Sequence, residues 1–410
     1  MSRIVYTYEK THDEMCRLVN DATHYVFWFA FYLDFEYNQK LKSAIISALD
    51  RGVKVYINTS ELNTDTIAYT HHNLTVHNNT RLDTTDDPVF VLFRSLTETT
   101  APKRVNHMRF LYNGDELLMG GTNSNARYNG HLTHRTRNAG DDEFYWHDSG
   151  YLTNKYPCNF EFFYTLFSRV SETSVRDLSI DNLVISNKVH YDFIIQNIRD
   201  AKRDIYIECQ YFHTHTKYGN NQIAGELATR VNRAIKNGED FRIVIITNSL
   251  NHDERAIHYM STFCSISCLC DFRKLCNCDD ETFAKYIVCK MPHISSHIVI
   301  HSKCWIFDDT NAIYTIGNLS DRSYFDTGDF EMGIIIRENV AEFRKMTNHN
   351  LMDIPMFDYD FELPVYNTGT FMLDNIRQMS DIWCGCVDII RNVVCIETVT
   401  GFRFPPLKII

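Results

Sequence analysis

The chain has 410 residues, with 41 Lys and Arg against 52 Asp and Glu and a net charge of −11. Apolar residues make up 44% and charged residues 23%, with only 16 Gly and 8 Pro, which excludes a disordered, collagen-like or Pro-rich linker chain. The acidic balance argues against a general polyanion binder, while leaving room for one basic pocket. At roughly 150 residues per domain, the length fits two or three domains.

The first segment reads helix, strand, helix, strand. Thr11 to Asp21 is predicted helical, with Thr11 and Glu14 spaced as a capping box. Tyr25 to Leu33 (YVFWFAFYL) is a continuous apolar run of strand length, far short of the ~20 residues that span a bilayer. It reads as a central buried strand rather than a lipid-binding patch. Leu41 to Leu49 places Leu41, Ala44, Ile45, Ala48 and Leu49 on one helical face. Gly52 stops that helix, and residues 53–60 (VKVYINTS) form a strand.

Next comes VNHMRFLYNGDELLMGGTNSNARY (105–128). It holds His107 and Arg109 two residues apart, then a glycine turn ending in Asn123. The basic run His131 to Arg137 follows; it is either a solvated loop or a contact for phosphates. Residues 172–186 are polar and uneven, and read as a linker.

The pattern then returns. Val189 to Ala201 is a helix, 204–212 (DIYIECQYF) a strand, Ile223 to Lys236 a helix broken by Gly238, and 241–249 (FRIVIITNS) a strand. The repeat predicts an α/β fold. Two similar α/β sandwich halves, 1–175 and 183–410, would have mixed, mostly parallel sheets flanked by helices and a pseudo-two-fold axis between them. Cys264, Cys268, Cys270, Cys276 and Cys278 cluster beyond it. They read first as free thiols on a surface loop, with zinc or fatty acylation as sharper alternatives. The opening MSRIVYTYEK has no apolar signal-peptide core, and thirteen Cys is an odd number. The expectation is a reducing, cytoplasmic setting in which the sequons at Asn58 and Asn73 carry no weight, with peripheral membrane attachment open.

HIVIHSKCWIFDDTNAIYTIGNLSDRS (297–323) carries the second chemical cluster. His301, Lys303 and Asp308 stand as H-x-K-x4-D. If 298–307 is one strand, His301 and Lys303 share a face. An imidazole beside a fixed ammonium suits a phosphate diester, and Asn318 in the following turn offers amide donors. A single His on a strand is usually structural. Two at equivalent points of a repeat, each with a basic residue two positions on and a Gly/Asn turn beyond, read as a duplicated site.

These residues resemble the phospholipase D superfamily of H-K-D phosphodiesterases, closest to the eukaryotic-type pattern. IYIECQYF (205–212) is similar to that family's I-Y-I-E-N-Q-F-F block, and HSKCWIFDD to its second H-K-D motif. LSDRS and GDFEM are similar to its N-D-R-S and R-D-S-E stretches. GGTNSNARY is similar to G-G-I-D-L-T-D-G-R-Y, and Trp146-His147-Asp148 to W-H-D. The chain departs from the pattern in Arg109 for Lys, Gly114 for Asp, Cys209 for Asn, and a second glycine turn two residues shorter.

The resemblance implies a phospholipid phosphodiesterase working through a phosphohistidine. His107 is the nucleophile and His301 the acid and then base. Arg109, Lys303, Asn123 and Asn318 hold the phosphate oxygens, Asp148 orients His107, and Glu331 orients His301. No cofactor or metal is expected, because two cations and two amides supply the electrostatic work. The expected partner is a phospholipid membrane surface. A nuclease of the same superfamily acting on nucleic acid, or a catalytically weakened membrane-associated scaffold, are the rivals. No obligate protein partner is expected, since one chain holds both half-sites and a monomer suffices. A compact chain of this kind would suit a large DNA virus.

Overall fold

The computed structural model describes residues 2–6, 8–33, 38–62, 71–78, 106–121, 145–169, 178–185, 187–214, 221–249, 256–293, 296, 298–324 and 329–361. Asn123, the 131–137 basic run and the chain beyond 361 lie outside these residues.

In chain order the first half contains β1 (Arg3–Tyr6), α1 (Tyr8–Asp21), β2 (Tyr25–Leu33), α2 (Gln39–Asp50), β3 (Lys54–Leu62) and β4 (Leu74–Asn78). β5 (Phe110–Tyr112), β6 (Leu117–Gly120), β7 (Tyr145–His147), β8 (Ser149–Thr153) and α3 (Phe160–Arg169) follow. The second half contains β9 (Ser179–Ile180), β10 (Leu183–Val184), α4 (Asn187–Asp200), β11 (Asp204–Glu208), α5 (Ile223–Asn237) and β12 (Arg242–Ile246). It continues through α6 (Ala256–Leu275), α7 (Asp280–Tyr286), β13 (Ile287–Pro292), β14 (Ile298–Ile300), β15 (Cys304–Phe307) and β16 (Asn311–Thr315). α8 (Asp321–Tyr324), β17 (Gly333–Ile336), α9 (Val340–Leu351) and β18 (Met356–Asp358) complete it.

The strand order repeats from one half to the other. One sheet runs β1-β8-β6-β5-β2-β3-β4, and the other β9-β10-β17-β16-β15-β11-β12-β13-β18. β10, β17, β16, β15, β11, β12 and β13 therefore occupy the places of β1, β8, β6, β5, β2, β3 and β4. The directions match as well. β2·β3·β4 and β11·β12·β13 are parallel, whereas β5 and β15 join their sheets antiparallel. Each strand–helix–strand unit thus gives the parallel pairing its crossover requires, and hairpins extend the sheet beyond it.

Alternation along β2 explains its unbroken apolar run. Val26, Trp28 and Ala30 face α1 and α2, where the predicted face of α2 (Leu41, Ala44, Ile45, Ala48, Leu49) is buried. Phe27 and Phe29 face a central layer. That layer also takes Tyr206, Ile306 and Tyr314 from the second half, so the two sheets share one core. Ile205 and Ile207 of β11 point the other way, into a third core under α4, α5 and α6. Each fully buried side chain of this size contributes about 1.5–3 kcal/mol.

Four local expectations change. α1 starts at Tyr8, so Thr11 lies inside the helix and caps nothing; Glu14 pairs instead with Arg3 and Arg17. The helical pattern runs back almost to β1, and periodicity outweighs the capping signal. The linker's end is structured: 178–185 carries β9 and β10, and Leu183 to Ile185 are buried. β11 and β12 stop at Glu208 and Ile246, earlier than predicted, because their C-terminal ends open toward the site. Of the cysteines described, half-buried Cys278 alone keeps to the expected loop, between α6 and α7. Cys268 and Cys270 lie in α6 and Cys276 just beyond it, all buried thiols, while the side chain of Cys264 is outside the described residues. Burial removes acylation for these three. Among the described residues no group of His, Cys, Asp and Glu is placed to hold a metal. Nor, among them, is any helix long and apolar enough to cross a membrane.

Candidate active site

His107 and Arg109 lie just before β5, and His301 and Lys303 just before β15, the equivalent strand. The segment 298–307 is not one strand. β14 pairs with β7 in a small two-stranded sheet, the chain breaks at 301–303, and β15 enters the main sheet. The first half repeats this. Asn106 makes an isolated bridge to Phe330, then the chain breaks before β5. Each histidine is therefore presented from an irregular segment where its half crosses to the other.

The backbone fixes both crossings alike. The amide of His107 donates to the carbonyl of Phe330 at 3.0 Å, and that of His301 to the carbonyl of His147 at 2.8 Å. The next residue on each partner segment is the carboxylate. Nδ1 of His107 lies 2.8 Å from Oε2 of Glu331, and Nδ1 of His301 lies 2.5 Å from Oδ2 of Asp148. The expected pairing is thus reversed. Asp148 serves His301 and Glu331 serves His107, because each carboxylate sits on the strand that pairs with the other half's histidine segment.

Each carboxylate is braced. Oε1 of Glu331 accepts from the Ser323 hydroxyl at 2.8 Å, and Oδ1 of Asp148 accepts from the Ser149 amide at 2.9 Å. The glycine turns fit beneath them. A Cβ on Gly121 would fall 2.2 Å from Oδ2 of Asp148, and one on Gly317 would fall 3.4 Å from the Glu331 side chain. The sequence pattern flagged both turns as bearing amides; at Gly121 the close approach to the carboxylate is a second reason for glycine. Ser323 was visible only as part of LSDRS, and its bond to Glu331 needs the fold.

Charge is concentrated and dry. Asp148, Glu331 and Lys303 are each 7% exposed or less. Burial pushes both carboxyls up to about 7, against the opposing pull of the Lys303 and Arg109 cations. Burial pushes the Lys303 ammonium down to about 7, with Arg109 adding to the fall and Asp148 resisting it. Both cations act on both carboxylates, so the four charged groups of the two halves converge on one place. The Lys303 ammonium donates to the His301 carbonyl at 2.5 Å.

Arg109 sets the tautomer of His107. A guanidinium can only donate, and its Nη2 lies 2.7 Å from Nε2 of His107. Nε2 therefore carries the lone pair, and Nδ1 carries the proton given to Glu331. Among the described residues, Nε and Nη1 of Arg109 are buried without a partner, and so is Oδ1 of Asn318 in the turn after β16. Aromatic rings flank both histidines: Phe31 edge-on to His107 at 5.4 Å, and Trp146 tilted over His301 at 4.6 Å.

The departure at Gly114 has a structural answer. In the second half Asp308 accepts the amides of Lys202, Arg203 and Asp204 at 2.7, 2.7 and 2.9 Å, tying the β15–β16 turn to the start of β11. In the first half Asn113 ties the β5–β6 turn to α1 instead. Its Nδ2 donates to the Leu18 carbonyl at 3.1 Å, and its Oδ1 accepts the amides of Asp115 and Glu116. Gly114 takes the positive φ of that turn (102°), as Asp308 does in its own (54°).

No family model matches the chain. Among curated proteins it is similar to phospholipase D A of Dictyostelium discoideum, 26% identical over 211 residues. That stretch covers 47% of this chain and 16% of the relative, so the match spans a small part of that protein's length. Among solved structures the chain is similar to phosphatidylserine synthase of Haemophilus influenzae Rd KW20, with a TM-score of 0.61 and 13% identity over 93% of each chain. At that identity the likeness is one of fold, and it takes in both halves.

Proposed function

We propose that this chain is a phospholipid-modifying phosphodiesterase of the phospholipase D superfamily, acting through a phosphohistidine. The observation that carries the reading is the reciprocal exchange: two histidines, one from each half, each held at Nδ1 by a carboxylate of the other half.

Nε2 of His107 attacks phosphorus and the P–O bond to the leaving alcohol breaks. His301, as imidazolium, gives its proton to that oxygen, while Asp148 offsets the imidazolium charge. Water, or a second alcohol, then attacks the phosphohistidine. His301 takes back a proton, and the P–N bond breaks to restore His107. Arg109, Lys303, Asn318 and Asn123 hold the non-bridging oxygens. Glu331 keeps His107 in the required tautomer. The lipid preference rests on the resemblance to phospholipase D and on the two relatives above.

The test is head-group release from phospholipid vesicles in EDTA, comparing the intact protein with His301→Ala. Release by the intact protein alone supports the reading, and release that appears only when EDTA is omitted would sink its metal-free form. A second reading has one observation in its favour. Nη2 of Arg109 sits on the lone pair that must attack, as it would in a non-catalytic lipid-binding protein that keeps the fold. Vesicle binding without release would select it, and cleavage of DNA instead would select the nuclease.

A further inference from the structure

The segment that carries His301 and Lys303 has little of its own to hold it. β14 ends at Ile300 and β15 begins at Cys304. Between them the backbone bonds are few: His301 donates to His147, and Lys303 accepts from Thr315 at 3.1 Å. Two reacting groups need placement to within about half an ångström.

Buried side chains supply what the ladder does not. Glu208 ends β11, and its Oε2 accepts from the Ser302 hydroxyl at 2.5 Å. Its Oε1 accepts from the Tyr206 hydroxyl at 2.6 Å. Asn248, just past β12, grips the residue before His301. Its Oδ1 accepts the Ile300 amide at 2.7 Å, and its Nδ2 donates to the Ile300 and Gln210 carbonyls at 2.9 Å each. Glu208, Ser302 and Asn248 are at most 2% exposed. One clamp therefore sits on each side of His301.

A carboxylate in this place is expensive. Its hydrogen-bond partners are two neutral hydroxyls, and among the described residues no cation stands in bonding contact to offset its burial. The first half achieves the same hold with amides. Asn106 donates to Asn58 at 2.6 Å, and its Oδ1 accepts the amide of Met108, the residue between His107 and Arg109. The second half departs from that solution exactly where the proton-transferring histidine stands.

We infer that Glu208 is a positioning residue for the reaction: through Ser302 it fixes the segment that aims His301 and Lys303. This rests on the proposed function, and two independent readouts keep the two claims apart. Glu208→Gln, Ser302→Ala and the double variant are compared in head-group release from phosphatidylcholine/phosphatidylglycerol vesicles. The ring resonance of His301 is followed in histidine-labelled protein, identified by its loss in His301→Ala.

Each single variant is expected to lower kcat about 10- to 100-fold with KM within about twofold, the range that sub-ångström to 1 Å misplacement produces. The double variant should fall no further than Glu208→Gln alone, and the His301 resonance should move in all three. Unchanged kcat, additive losses in the double variant, or a fixed His301 resonance in folded protein would overturn the inference. If Glu208→Gln does not fold, Ser302→Ala, which removes one hydroxyl, decides by the same readouts. If the intact protein releases no head group, the proposed function fails, and the resonance alone still decides the positioning.

Discussion

His301 belongs to the second half of the chain, yet its Nδ1 meets Asp148 of the first half at 2.5 Å. Its counterpart His107 meets Glu331 of the second. Neither half alone holds an oriented histidine. Asp148→Asn and Glu331→Gln keep the side-chain shapes but replace an obligate acceptor with an amide that favours the wrong tautomer. Each is expected to cost about 10²- to 10⁴-fold in turnover with the fold intact. Steady-state kinetics alongside circular dichroism checks this; activity within threefold of the intact protein would count against orienting roles for these carboxylates.

The two histidines should be separable by trapping. With a phosphate-labelled phosphatidyl ester of p-nitrophenol, whose leaving group needs no general acid, and an acid-free quench, His301→Ala should accumulate label on His107, since the step that releases it lacks its base. His107→Ala should carry none. Label retained in His107→Ala would exchange the two roles.

Arg109 holds the lone pair of His107 and has two further buried nitrogens that face no partner among the described residues. Arg109→Ala is expected to lose about 10²-fold in kcat/KM through lost phosphate stabilisation. Arg109→Lys should stay within about tenfold of the intact protein, since a point charge replaces a planar fork. A large gain in turnover from Arg109→Lys would mark the site as degraded and favour the non-catalytic reading.

The pH profile follows from burial. Asp148 and Glu331, raised to about 7, gain protons as pH falls through neutrality and stop accepting from the histidines. Lys303, lowered to about 7, loses its proton as pH rises through the same region and no longer holds a phosphate oxygen. The expected kcat/KM profile is a bell with both limbs near neutral pH. Lys303→Arg cannot lose its charge in this range, so its alkaline limb should retreat to higher pH. An alkaline limb that stays in place would assign it to another group.

Asp308 is expected to matter for stability and not for chemistry. Its carboxylate accepts three backbone amides at the start of β11 and touches neither histidine. Asp308→Ala should cost about 2 kcal/mol, since each net hydrogen bond contributes about 0.5–1.5 kcal/mol. Denaturant melts should show the loss while turnover per folded molecule stays within about twofold.

Much of this was settled along the chain. The face of α2, the two-sided burial of β2 and the helix end at Gly238 follow from the local sequence alone, because periodicity and helix stops are properties of consecutive residues. The repeat, and the histidine with a cation two positions on in each half, were legible for the same reason. Only the tertiary structure decided which carboxylate meets which histidine. That pairing depends on β7 joining β14 and on Phe330 bridging Asn106, contacts between residues far apart in sequence. It also decided that Cys268 and Cys270, inside a twenty-residue helix, and Cys276, just past it, are core residues, a packing that their spacing alone does not show. The break at His301 escaped the sequence too. An apolar run of strand length reads the same whether it stays in one sheet or crosses between two, and here the crossing is what exposes the histidine to the other half.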